Sequence, residues 1–116
     1  MKSFTSLEQS KKLAEILPLE SADMCWTSFD EKWDAYLGSP NPDAIKKEIP
    51  CWSLAALLDI LPCNLKLVLA INDYQGDRKE KYVIGSVEHE KCDCFADNPV
   101  DACYGLILKL HELNLL

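Results

Sequence analysis

The side chains best suited to chemistry lie in one run, His89-Glu90-Lys91-Cys92-Asp93-Cys94, with Cys103 further along. Zinc takes four nitrogen or sulfur ligands in a tetrahedron, and this run offers one His and two Cys, with Cys103 as a conceivable fourth. A metal- or redox-responsive regulator built on His89, Cys92, Cys94 and Cys103 is therefore one reading. The spacing argues against it. Structural zinc sites carry paired Cys-x2–4-Cys knuckles, whereas Cys-x-Cys on a strand sends both thiols to one face, and Cys103 falls on the apolar stripe of a helix. A disulfide between Cys92 and Cys94 would close a small, strained ring. The expectation is no metal and no cofactor.

Nucleophilic chemistry fares no better. A reactive thiol needs a base and a lowered pKa, and the chain has two histidines, His89 and His111. Cys51 precedes a helix, but Pro50 and Trp52 on either side point to burial. Ser53 is better explained as a helix cap than as a triad serine. Carboxylates such as Asp23, Asp30, Glu31, Asp34, Asp93 and Asp97 arise by chance in an acidic protein, and none sits in a hydrolase motif. Four glycines, at 38, 76, 85 and 105, are not spaced to cradle phosphates. No catalytic set emerges, so an enzyme is not expected.

Aromatic residues are the remaining signal. Trp26, Phe29, Trp33, Tyr36 and Trp52 crowd the first half of the chain. Most must be core. The sharper expectation is that Trp33, Tyr36 and Trp52 stay partly exposed near the loop Gly38-Ser39-Pro40-Asn41-Pro42 and anchor a protein partner or a second copy, since aromatic residues dominate interface hot spots.

The elements that position these residues follow from periodicity and end signals. Thr5-Ser6-Leu7-Glu8 has the capping-box form and opens a helix over about residues 6–17, with Leu13, Ile16 and Leu17 on one face and Pro18 as its stop. Met24–Phe29 reads as a short strand. Asp30–Tyr36 is ambiguous, because Phe29, Trp33, Tyr36 and Leu37 also fit one helical face. Ser53 caps a helix in which Leu54, Leu57, Leu58 and Leu61 recur at helical spacing, closed by Pro62. Leu65–Ile71 is apolar almost throughout and reads as a central strand, which forms an antiparallel hairpin with Tyr82–Val87. Cys92–Phe95 adds a short edge strand. Asn98, Pro99 and Asp101 start a last helix running through Leu113, whose buried face is Val100, Cys103, Leu106, Ile107, Leu110 and Leu113. The fold class is α+β: three helices packed on a small antiparallel sheet of about three strands.

Size and charge bound the rest. At 116 residues and 13.1 kDa the chain fits a single compact domain over 1–116, burying about two-thirds of its extended surface. Its 48% hydrophobic and 27% charged residues are globular values, and no apolar run approaches the roughly 20 residues of a membrane span. Twelve Lys and Arg against nineteen Asp and Glu give a net charge of −7. Such a surface repels phosphates, so direct nucleic-acid binding is not expected; an acidic mimic of nucleic acid, docking in the basic groove of another protein, is an alternative reading. The segment Met1–Ser6 has no apolar run of a signal sequence, so the expected location is the cytoplasm and the six cysteines are expected to be free thiols, packing as small hydrophobes.

Four phrases carry a resemblance: Gln9-Ser10-Lys11-Lys12-Leu13, Glu20-Ser21-Ala22-Asp23-Met24, Ile49-Pro50-Cys51-Trp52-Ser53-Leu54-Ala55-Ala56-Leu57-Leu58 and Asp97-Asn98-Pro99-Val100-Asp101-Ala102-Cys103. Together, and in this order, the chain resembles a group of small proteins of gut Bacteroidetes associated with prophages and conjugative elements. The resemblance implies a cytoplasmic accessory protein of a mobile element, and it brings no activity, cofactor or catalytic residue with it. The expected function is thus non-enzymatic: docking a protein partner or a second copy through Trp33, Tyr36 and Trp52.

Overall fold

A computed structural model describes residues 2–29, 32–38, 48–61, 67–71, 82–86 and 94–114. The elements in chain order are α1 (Leu7–Ala14), a 3-10 turn (Leu19–Ser21), β1 (Met24–Phe29), β2 (Lys32–Leu37), β3 (Glu48–Cys51), α2 (Leu54–Ile60), β4 (Leu67–Ile71), β5 (Tyr82–Ser86), β6 (Cys94–Ala96) and α3 (Pro99–Glu112). The fold is α+β, with two three-stranded antiparallel sheets, ordered β2-β1-β3 and β4-β5-β6, where the sequence suggested one. Two compact units result, Ser3–Ala56 and Leu57–Leu116 with Met1–Lys2.

In the unit Ser3–Ala56, the capping box falls one residue later than expected. The Ser6 hydroxyl accepts from the Gln9 amide at 3.2 Å, and Gln9 Oε1 accepts from the Ser6 amide at 3.0 Å. Ser6-Leu7-Glu8-Gln9 satisfies the same pattern as Thr5-Ser6-Leu7-Glu8, and Thr5 is engaged elsewhere. Helix α1 also stops earlier than residue 17. Glu15 and Ile16 donate three residues back, to Lys12 at 3.2 Å and Leu13 at 3.0 Å, so the chain tightens into 3-10 geometry ahead of Pro18. Leu13 and Leu17 are buried, and α1 packs on β3.

The ambiguous segment is a strand. Lys32-Trp33-Asp34-Ala35 alternates polar and apolar residues, and β2 pairs along its whole length with β1, from Phe29↔Lys32 to Met24↔Leu37. That ladder supplies hydrogen bonds that a six-residue helix could not match. On the other side of β1, β3 accommodates Pro50 because an edge strand can turn a missing N–H away from its neighbour.

The unit Leu57–Leu116 rests on α3, which packs against β5 and β6. The Asn98 side chain accepts from the Asp101 amide at 2.8 Å and Pro99 occupies the first turn, as expected. Val100, Ala102, Cys103, Leu106, Ile107 and Leu110 are fully buried. Leu113 is instead exposed: it caps the helix, and Asn114 at φ 56° turns the chain away in the left-handed conformation. The hairpin β4–β5 forms with the register Leu69↔Ile84, and β6 is its short edge strand. Among the described residues β4 lies at an edge and β5 in the middle, so the central placement of Leu65–Ile71 is corrected. An apolar run reports on what covers a strand's faces and is silent on what pairs with its edges.

Candidate functional site

Cys94 and Cys103 are both buried within one unit. Burial, reinforced by Cys94 nearby, pushes the Cys103 thiol up to about 12, the opposite of what a metal ligand or a nucleophile needs. His89, Cys92 and Cys63 lie outside the described residues. Among the described residues no group of three or more His, Cys, Asp or Glu side chains is placed to hold a metal ion.

Cys51 ends β3 in a polar cluster with Thr5 and Ser10, both of which are buried. Thr5 Oγ1 lies 2.7 Å from Ser10 Oγ and donates to Cys51 Sγ at 3.6 Å, while Cys51 Sγ donates to the Thr5 carbonyl at 3.5 Å. The Trp52 amide donates to Thr5 Oγ1 at 3.1 Å. Burial raises the Cys51 pKa against the opposing pull of the Thr5 and Ser10 hydroxyls. The cluster therefore acts as a structural clasp between the N-terminal segment and β3. Replacing Thr5 with valine keeps the shape but strands the Trp52 amide and the Ser10 hydroxyl, at about 1–3 kcal/mol for each buried polar group left without a partner. The expected outcome is a lower urea midpoint with an unchanged slope, and a Thr5→Val chain as stable as wild type would disprove the clasp.

Ser53 is a cap, as expected. Its hydroxyl accepts from the Ala56 amide at 3.2 Å and donates to the Asp23 carboxylate, which also accepts from the Ser53 amide at 2.9 Å. A serine bound to a carboxylate and spent on a helix end has no free route to nucleophilic work.

The structure separates the three aromatic residues. Trp52 is 0% exposed, with Nε1 donating to Ser21 Oγ at 3.0 Å, so it belongs to the core and leaves the docking set. Sequence proximity to a loop says nothing about which way a ring points once β3 delivers it beside Thr5 and Ser21. Trp33 is half-buried and Tyr36 is 46% exposed, both on β2. Being three apart on a strand, they lie on opposite faces. The residue that sequence reasoning missed is Leu37, 86% exposed at the end of β2 and on the Trp33 face. The strand alternation from Lys32 was the signal available, because it places Trp33, Ala35 and Leu37 in one row. Gly38 follows at φ +113°, where a glycine is favoured, and ends the strand.

What the site offers is an edge. Strand β2 has β1 on one side and, among the described residues, no strand on the other. No described helix is long and apolar enough to cross a membrane. No family model, curated protein or solved structure matches this chain.

Proposed function

We propose that this is a non-enzymatic docking protein that binds a protein through the edge strand β2, with Leu37, Trp33 and Tyr36 as its anchors. The observation that carries this reading is the 86% exposure of Leu37 on a strand that, among the described residues, has a neighbour on one side alone. Open strand edges template pairing, and soluble proteins ordinarily blunt them with charge, proline or a covering segment. Here the strand ends on a bare leucine beside a tyrosine. Strand addition supplies affinity through main-chain hydrogen bonds and specificity through alternate side chains, while Ser6, Ser53 and Asn98 serve as caps and Thr5 as a clasp. The four sequence phrases support a setting in the cytoplasm as an accessory protein of a mobile element.

The test is retention of protein partners, its own soluble copy included, on immobilised wild type, Leu37→Lys and a control, Leu19→Lys, which alters an exposed leucine away from β2. Retention should fall roughly tenfold for Leu37→Lys, since a desolvated lysine opposes docking by more than about 1.4 kcal/mol, and should hold for the control. Equal retention by both variants would refute the docking edge. An acidic mimic behaves differently again: its binding would weaken steeply with salt and ignore Leu37.

A further inference from the structure

The backbone of β2 shows which of its polar groups are on offer. In an antiparallel ladder the N–H and C=O of one residue point to the same neighbour, and successive residues alternate sides. Two observations set the alternation. The Gly38 amide donates to the Asp23 carbonyl at 2.9 Å, extending the β1–β2 register by one step. Independently, Pro50 lies opposite Cys25 and has no N–H to give, so Cys25 turns its backbone groups towards Tyr36. Lys32, Asp34 and Tyr36 therefore bond inward to β1. Trp33, Ala35 and Leu37 present their N–H and C=O groups outward.

We infer that β2 pairs antiparallel with β2 of a second copy of this chain, about a twofold axis at Ala35. This deepens the docking reading above, on which it rests, by naming the partner. The register sets Ala35 opposite itself and Trp33 opposite Leu37 of the second copy. Each outward residue then meets another outward residue, so Trp33, Ala35 and Leu37 all gain a bonded partner. A shift by an odd step would set outward residues against inward ones and lose the ladder.

The side chains select this register from the remaining ones. On one face Trp33 covers the exposed Leu37 of the second copy in both directions, an aromatic–aliphatic pair at cross-strand distance. On the other face Asp34 lies opposite Tyr36, so no two carboxylates meet. Centring on Asp34 would put two carboxylates face to face, and centring on Trp33 or Tyr36 would carry Leu37 or Trp33 out of the overlap. Charge points the same way. A chain of −7 repels its own copy, yet β2 carries one Lys and one Asp and is neutral. The strand itself adds no net charge to the contact, and salt that screens the rest should tighten the pair.

Sedimentation and amide hydrogen exchange across a wide range of chain concentration test this. The apparent mass should climb from 13.1 kDa towards twice that value, and more readily at high salt. The amides of Trp33, Ala35 and Leu37 should slow as concentration rises, while those of Asp34 and Tyr36 stay protected throughout. Ala35→Pro removes an outward N–H at a position where an edge strand tolerates proline, and should abolish the dimer. Leu37→Lys, at a site too exposed to threaten folding, should weaken it roughly tenfold or more. A monomer at every concentration overturns the inference, as does a dimer whose outward β2 amides exchange at one rate regardless of concentration. A monomer that still retains another protein through Leu37 sinks the self-pairing and leaves the docking edge standing.

Discussion

Replacing Trp52 with alanine is expected to lower the unfolding free energy by about 3–5 kcal/mol, the range for emptying a buried aromatic site. Trp52 is fully buried, and its indole Nε1 donates to Ser21 Oγ while its amide and carbonyl both engage Thr5. Truncation opens a cavity at this buried site and leaves the Ser21 hydroxyl without its donor. Against a total stability of about 5–15 kcal/mol for a typical domain, that loss removes between about a fifth and all of the margin. Trp52→Phe should cost less, since the ring volume is largely kept and one hydrogen bond is lost. Urea melts followed by circular dichroism measure both. A Trp52→Ala loss no greater than that of the half-buried Trp33→Ala would contradict the placement of Trp52 in the core.

The second large effect is alkaline. Cys103 has its thiol pushed up to about 12 from an ordinary 9.0, first by burial and then by Cys94. Below pH 9 the thiol is protonated in both the folded and the unfolded chain, so its contribution is constant. Between pH 9 and about 12 the unfolded thiol ionises and the folded one does not. The unfolded state then binds fewer protons, and stability falls by up to about 1.4 kcal/mol per pH unit. Cys103→Ala removes this slope while sharing with wild type the titrations of groups remote from Cys103 and Cys94. Urea melts at a series of pH values should therefore show the two curves converging as pH rises through that window. Parallel curves would show that Cys103 ionises as easily folded as unfolded. The same protonation keeps Cys103 inert to alkylating reagents at neutral pH.

How much of this was legible in the sequence depends on whether local chemistry was sufficient. Asn98, Pro99 and Asp101 start α3 through interactions within a single turn, so residue type and spacing were enough. The β4–β5 hairpin was readable because its two apolar runs bracket a polar connection. The segment Lys32–Leu37 was not, since six residues hold fewer than two helical turns and the deciding ladder comes from β1. The shift from Thr5 to Ser6 as cap has the same origin: two overlapping boxes compete, and the distant Cys51 and Trp52 claim the Thr5 hydroxyl. For the candidate site, residue type marked Trp33 and Tyr36 correctly as surface-reaching and Trp52 wrongly. Alternation from Lys32 could place Leu37 in the Trp33 row but not show its exposure, because an exposed leucine differs from a buried one only in what surrounds it.

Gly105 sits inside α3, where a glycine ordinarily weakens a helix, and the sulfur of Cys94 reaches to 3.1 Å from the point a methyl group would fill. The notch lets β6 nestle its thiol against the helix rather than hold it off by a side chain's thickness. Even an alanine there must push the Cys94 sulfur back by a few tenths of an ångström, so the closeness of β6 to α3 depends on one missing carbon.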